Sequence, residues 1–133
     1  MNKNLEQLKE LTKSLPYLSE LIVHNSKMGS IEYKTKNGVC HGYGILNVPE
    51  IAVQYTIVEK NDVVFNHQHD EKEILIIYRG SCLVCVENVE YELIPGDIIE
   101  IKPNENHYFK TYDKKVWLLC ITIPSSESYP ESQ

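Results

Sequence analysis

His67-Gln68-His69-Asp70-Glu71-Lys72-Glu73 is the stretch on which the reading of this chain turns, and it is answered further on by His107. Histidines two apart leave the same face of a strand, which brings two imidazole nitrogens together without distorting the backbone. Glu73 decides how the chain runs. On a strand continuing straight from His69 it would lie roughly 13 Å further on, at ~3.3 Å per residue, whereas a metal–ligand bond is only about 2.0–2.2 Å. A turn at Asp70-Glu71-Lys72 resolves this. Glu73 then opens an antiparallel neighbour, and strands ~4.8 Å apart set its carboxylate beside the histidines. His107 follows a turn at Pro103–Asn106 and starts another strand, which a closed barrel brings to the same interior point.

The flanking sequence has the texture such a barrel needs. Ile51–Glu59 is a run of β-branched and aromatic residues, and Val63–His69 resumes after a turn at Asn61-Asp62. From Glu73 the alternation is regular. Strands are predicted at Glu73–Arg79, Cys82–Val86, Val89–Leu93, Asp97–Ile101, His107–Tyr112 and Val116–Ile123. Turns fall between them at Gly80-Ser81, Glu87-Asn88, Pro95-Gly96, Pro103–Asn106 and Asp113-Lys114. Even spacing of this kind predicts an all-β sandwich or barrel. Upstream, Ile31–Lys34 is a short strand, Asn37-Gly38 a turn, and Gly42-Tyr43-Gly44 a tight or closely packed stretch.

Two terminal segments read differently. Leu5, Leu8, Leu11 and Leu15 recur at helical spacing over Asn4–Leu15, with Asn4 as cap and Pro16 as stop. Tyr17–Val23 extends the helical part. Its apolar stripe must pack on the barrel or on a second subunit. Residues 1–30 are therefore expected to form a helical segment, 31–123 the barrel, and 124–133, rich in Ser, Glu and Pro, a frayed tail.

The composition narrows the function. A chain of 133 residues with 42% hydrophobic content is one ordinary domain with a real core. Its apolar runs, such as Ile74–Tyr78 and Trp117–Ile121, fall far short of the ~20 residues a spanning helix needs. The first residues lack the apolar core of a secretion signal, so a cytoplasmic protein is expected, with no membrane partner. A net charge of −6 and a single arginine, Arg79, make nucleic acid an unsuitable partner. A small-molecule ligand or a protein partner is expected instead. Cys40, Cys82, Cys85 and Cys120 are read as buried free thiols. Cys82 and Cys85, three apart on a strand, point to opposite faces and do not chelate together.

A lone histidine near a strand end is more often a surface or hydrogen-bonded residue than a ligand, and His24 and His41 are read that way. What separates His67, His69, Glu73 and His107 from that background is their joint arrangement around two turns. Three imidazoles and one carboxylate suit a divalent transition metal with one or two exchangeable positions. Iron, manganese, zinc and nickel all remain open.

These motifs resemble those of the cupin superfamily. His67-x-His69-x3-Glu73-x6-Gly80 is similar to its first motif, and Pro95-Gly96-Asp97 with Pro103 and His107 to its second. The resemblance covers about Ile51 to Ile123, and the intermotif stretch is short, as in small single-domain microbial cupins. It implies a double-stranded β-helix, or jelly-roll barrel. It also implies His67, His69, Glu73 and His107 as the metal ligands. Asn61 and Glu105 depart from the family pattern where Gly is common, and Thr111 where Asn is common.

For the pocket wall, Phe65 shares the parity of His67, and Phe109 that of His107. On Ile51–Glu59 two faces compete: Gln54 with Thr56, against Val53, Tyr55 and Ile57. Gln54, Tyr55, Phe65 and Phe109 are the expected pocket residues. Arg79 is expected to be solvated at the barrel end, and Trp117 to be core or interface. Two functions follow. One is a metal-dependent enzyme of dioxygenase, decarboxylase or isomerase type, which the resemblance implies for mononuclear sites. The other is a non-catalytic module that binds or senses a small ligand. Small cupins commonly pair, so the resemblance also implies a homodimer. The outward apolar side chains of Ile74, Ile76 and Tyr78 are compatible with such a contact.

Overall fold

The computed structural model describes residues 30–125. The expected helix Asn4–Leu15 and residues 126–133 of the expected tail lie outside the described residues. Within them the chain forms ten strands: β1 (Ser30–Lys34), β2 (Val39–Val48), β3 (Ile51–Val58), β4 (Val63–His67), β5 (Lys72–Arg79), β6 (Cys82–Val86), β7 (Val89–Leu93), β8 (Ile98–Ile101), β9 (His107–Thr111) and β10 (Val116–Ile123). They make two sheets, one of order β1-β2-β3-β10-β5-β8 and one of order β4-β9-β6-β7. Every pairing is antiparallel. The all-β jelly-roll expectation is met.

Period-2 alternation builds the interior. Val58, Ile77, Val84, Ile101, Val116 and Leu118 meet between the sheets, all nearly without solvent contact. The other face of the six-stranded sheet carries a second apolar group, in which Tyr43, Ile57, Trp117 and Leu119 pack against Tyr55 and Tyr78. A sheet apolar on both faces needs cover on both.

The turns explain several sequence signals. Glu87 and Asn88 both take left-handed conformations (φ 48° and 67°), as a two-residue hairpin between β6 and β7 requires. Gly80 has φ 81°, and a Cβ there would meet the Lys115 carbonyl oxygen at 2.5 Å. Asn61, the first departure from the family pattern, also has positive φ (52°), a conformation Asn adopts more readily than most residues. Thr111, another departure, uses its hydroxyl: it donates to the Glu59 carbonyl at 2.6 Å and accepts the Asp62 N–H at 2.9 Å.

Three expectations need correction. β2 was not anticipated as a strand, because two glycines weaken strand propensity across Cys40–Gly44; the stretch is nonetheless paired, Cys40–Tyr43 with β1 and His41–Gly44 with β3. The strand expected at Val63–His69 ends at His67, with an irregularity between Val64 and His67. Glu73 does not begin a neighbour of that strand. β4 pairs with β9, whereas β5 pairs with β10 and β8 in the other sheet. The connection at Asp70–Glu71 therefore carries the chain across the sandwich, and Glu73 approaches the histidines from the facing sheet.

Candidate metal centre and its cavity

His67, the last residue of β4, stands directly across from His107, the first of β9. Their rings lie 4.2 Å apart. His69 sits in the connection beyond β4, its ring 5.8 Å from that of His67 and 5.1 Å from that of His107. One ligand atom from each of the three lies within 4.8 Å of the others. Glu73 completes the group from β5. Its Oε1 is 3.3 Å from Nε2 of His107 and 3.8 Å from Nε2 of His69.

The backbone fixes which nitrogen each imidazole offers. Nδ1 of His67 meets the Phe65 carbonyl at 2.6 Å, Nδ1 of His69 the Glu71 carbonyl at 2.8 Å, and Nδ1 of His107 the Glu105 carbonyl at 2.9 Å. A carbonyl only accepts, so each Nδ1 carries the proton, and each neutral ring keeps its lone pair on Nε2. This is the arrangement in which a second hydrogen bond orients a ligating histidine. The turn between β8 and β9 ties two of the rings together. The Asn104 N–H donates to the His69 carbonyl at 2.8 Å, while the Glu105 side chain accepts the Lys102 N–H at 2.7 Å and its carbonyl holds His107. Glu105, a departure from the family pattern, thus stabilises the turn that positions His107.

The electrostatics agree. Burial raises the Glu73 carboxyl, but His107 and His69 outweigh it and bring its pKa down to about 2. The Glu73 carboxylate beside it holds His69 above the ordinary imidazole value, against burial. Desolvation, with His107 beside it, holds His67 below that value. His107 Nε2 is buried without a hydrogen-bond partner. An orphaned lone pair of that kind, with two more imidazoles and an ionised carboxylate beside it, fits a divalent transition metal.

The group opens onto a cavity of about 350 Å³ between the sheets, at the small end of the ~300–1,000 Å³ range of ligand sites. Gln54, Phe65 and Phe109 line it, Phe65 half-exposed and Phe109 buried. Tyr55 does not. Gln54 and Thr56 face inward, so parity sends Tyr55 to the outer face, where it stacks on Tyr78 at 5.5 Å and receives the Tyr78 hydroxyl's hydrogen bond. Sequence reasoning missed Tyr33 and Thr122, which also line the cavity. Neither belongs to a motif, and only the sheet pairing brings them in. All four cysteines are buried, as expected, with no disulfide among them. Cys40 and Cys120 line the cavity. Burial pushes the Cys40 thiol up to about 11. Arg79 is exposed and lies over the Trp117 ring at 5.3 Å, away from the site.

Fold and site together define a small jelly-roll protein with a histidine cluster on an internal cavity. The model of the AraC-like ligand binding domain matches residues 51–131, and the chain belongs to that family, within the cupin superfamily. Solved structures agree on the fold. A cupin 2 conserved barrel domain protein from Rhodopseudomonas palustris is similar at TM-score 0.65 and 18% identity, over 74% of this chain and 73% of that one. KdgF from Halomonas sp. is similar at TM-score 0.65 and 16% identity, over 73% and 88%. The DMSP lyase DddQ from Ruegeria pomeroyi is similar at TM-score 0.61 and 23% identity, over 71% of this chain and 53% of that one. No curated protein matches the sequence significantly.

Proposed function

We propose that the protein is a metal-dependent cupin enzyme acting on a small organic molecule, with His67, His69, Glu73 and His107 holding one divalent transition metal. The observation that carries this reading is the convergence of three imidazoles, each with Nδ1 fixed on a carbonyl, toward one ionised carboxylate at a cavity wall. A metal held there supplies a Lewis-acid or redox centre of the kind used by dioxygenases, decarboxylases and isomerases. Glu73, with a pKa near 2, is an anion at neutral pH and serves as a ligand rather than an acid. Phe109 and Leu118 form apolar wall that excludes water around the cavity.

A second reading is a ligand-sensing module, favoured by the match to a ligand-binding family. Both readings take the protein as a cytoplasmic homodimer. The aromatic outer face with Tyr43 and Trp117 supports the pairing, and among the described residues no helix is long and apolar enough to cross a membrane.

Elemental analysis of purified protein tests the metal site. Bound iron, manganese, zinc or nickel is expected in the wild type and absent in His67→Ala, with the circular dichroism spectrum unchanged. Metal retained in His67→Ala would defeat the assignment. Turnover or oxygen uptake by metal-loaded protein across small acids, phenols and thiols separates enzyme from sensor. Thermal shifts without turnover favour the sensor.

A further inference from the structure

The metal ligands leave a second set of polar groups on the cavity wall unexplained. Gln54 and Thr56 on β3 and Thr122 on β10 face inward and are 3%, 5% and 1% exposed. The Gln54 carboxamide is held at both ends: Oε1 accepts the Tyr33 hydroxyl at 2.7 Å, and Nε2 donates to Thr56 Oγ1 at 3.0 Å. β2 leaves room for it, since a Cβ on Gly42 would lie 2.5 Å from Gln54 Cδ. A carboxamide has two N–H donors and two lone pairs, so these bonds leave it able to donate and accept once more. Thr122 pairs in register with Glu73, and its hydroxyl is buried with no hydrogen-bond partner. A valine would fill that space without burying an unpaired hydroxyl. The polar strip thus starts beside a metal ligand at Thr122 and continues to Gln54, which pairs with Cys120 two positions along β10, roughly 7 Å further on.

Charge limits what the strip receives. Among the described residues lining the cavity, Lys34 is the only Lys or Arg, and it is exposed. A second anionic group placed inside would meet no buried cation among them. Three neutral imidazoles and one carboxylate leave a divalent ion one net positive charge, which suits a single anionic head.

Resting on the metal-site reading above, we propose that the cavity takes a small monoanionic organic acid. Its charged head faces the histidine cluster, and a second, neutral oxygen, hydroxyl or carbonyl, is received by the polar strip that Thr122 opens and Gln54 continues. These two are specificity-determining residues and not metal ligands.

Matched four-carbon acids test this by isothermal titration calorimetry on metal-loaded protein. 3-Hydroxybutanoate is expected to bind about fivefold more tightly than butanoate, the worth of roughly one neutral hydrogen bond, and butanedioate most weakly. In Thr122→Val combined with Gln54→Leu the preference for the hydroxyl disappears while metal content is unchanged. Thr122→Ser keeps the preference and guards against a folding artefact in the double variant. The proposal is overturned if butanedioate binds as well as 3-hydroxybutanoate, if the wild type shows no preference for the hydroxyl, or if the preference survives the double substitution. Metal content measured on the same samples keeps the two readings apart. A wild type without metal defeats the metal site, and the hydroxyl preference is then decided on the metal-free protein by the same three outcomes.

Discussion

The two ends of the barrel both bury polar groups, and they treat them in opposite ways. Around Asp62 every bond is made. Its carboxylate accepts the Thr35 hydroxyl, the Asn37 N–H at 2.8 Å and the Val63 N–H at 2.8 Å, while its own N–H reaches Thr111. At the other end His107 Nε2 and Thr122 Oγ1 are buried without hydrogen-bond partners. Both ends cost desolvation, but only the first recovers it from within the chain. Buried polarity alone therefore does not mark a functional site; buried polarity left unsatisfied does.

This contrast is open to direct attack. The largest effect is expected at the satisfied end. Asp62→Ala strands a hydroxyl and two N–H groups and should lower unfolding stability by roughly 3 kcal/mol in urea titration, with metal content unchanged. Burial raises the Asp62 carboxyl, but the Thr35 hydroxyl and the two backbone N–H groups outweigh it and hold its pKa below the ordinary value. A group depressed on folding stabilises fully above its unfolded pKa, about 3.9, and loses that contribution as pH falls through the folded value. The gap between wild type and Asp62→Ala should accordingly narrow below about pH 4; a gap that widens on acidification would mean the carboxylate is not stabilised where it sits. Next comes Gly42→Ala, whose Cβ must displace Gln54. It should destabilise by about 1–2 kcal/mol through overpacking and shift the Gln54 side-chain amide signals in a nitrogen-correlated spectrum. The smallest effect carries the opposite sign. Thr122→Val in metal-free, ligand-free protein should leave stability unchanged or raise it by about 0.5–1 kcal/mol, because it removes an unpaired hydroxyl. A clear loss would show that the hydroxyl has a partner and that the two ends are alike.

The satisfied end was partly legible and the unsatisfied end largely so, for different reasons. The clustered histidines announce themselves by spacing, and Pro95-Gly96 and Glu87-Asn88 mark turns by their local backbone needs. How Glu73 reaches the histidines was not legible. A strand's partner in a jelly roll is chosen by long-range pairing, and the local pattern at Asp70–Lys72 reads equally well as a hairpin or as a crossing between sheets. β2 hid behind Gly42 for a related reason: that glycine accommodates a side chain from β3, so its cause lies outside its own stretch. Gln54 and Tyr55 cannot both face the cavity, since neighbours on one strand do not share a face. The structure had to choose, and Gly42 beneath Gln54 shows how it chose.

The three Nδ1 contacts end on main-chain oxygens at Phe65, Glu71 and Glu105. Every amino acid supplies such an oxygen, so no exchange of side chain at those positions can delete one. The orientation of the cluster is thus a property of the path of the chain and is indifferent to the identity of the residues lending the oxygens. Those positions are left open to change for other purposes, as Phe65 at the cavity and Glu105 in its turn illustrate, while the imidazoles keep facing the same way.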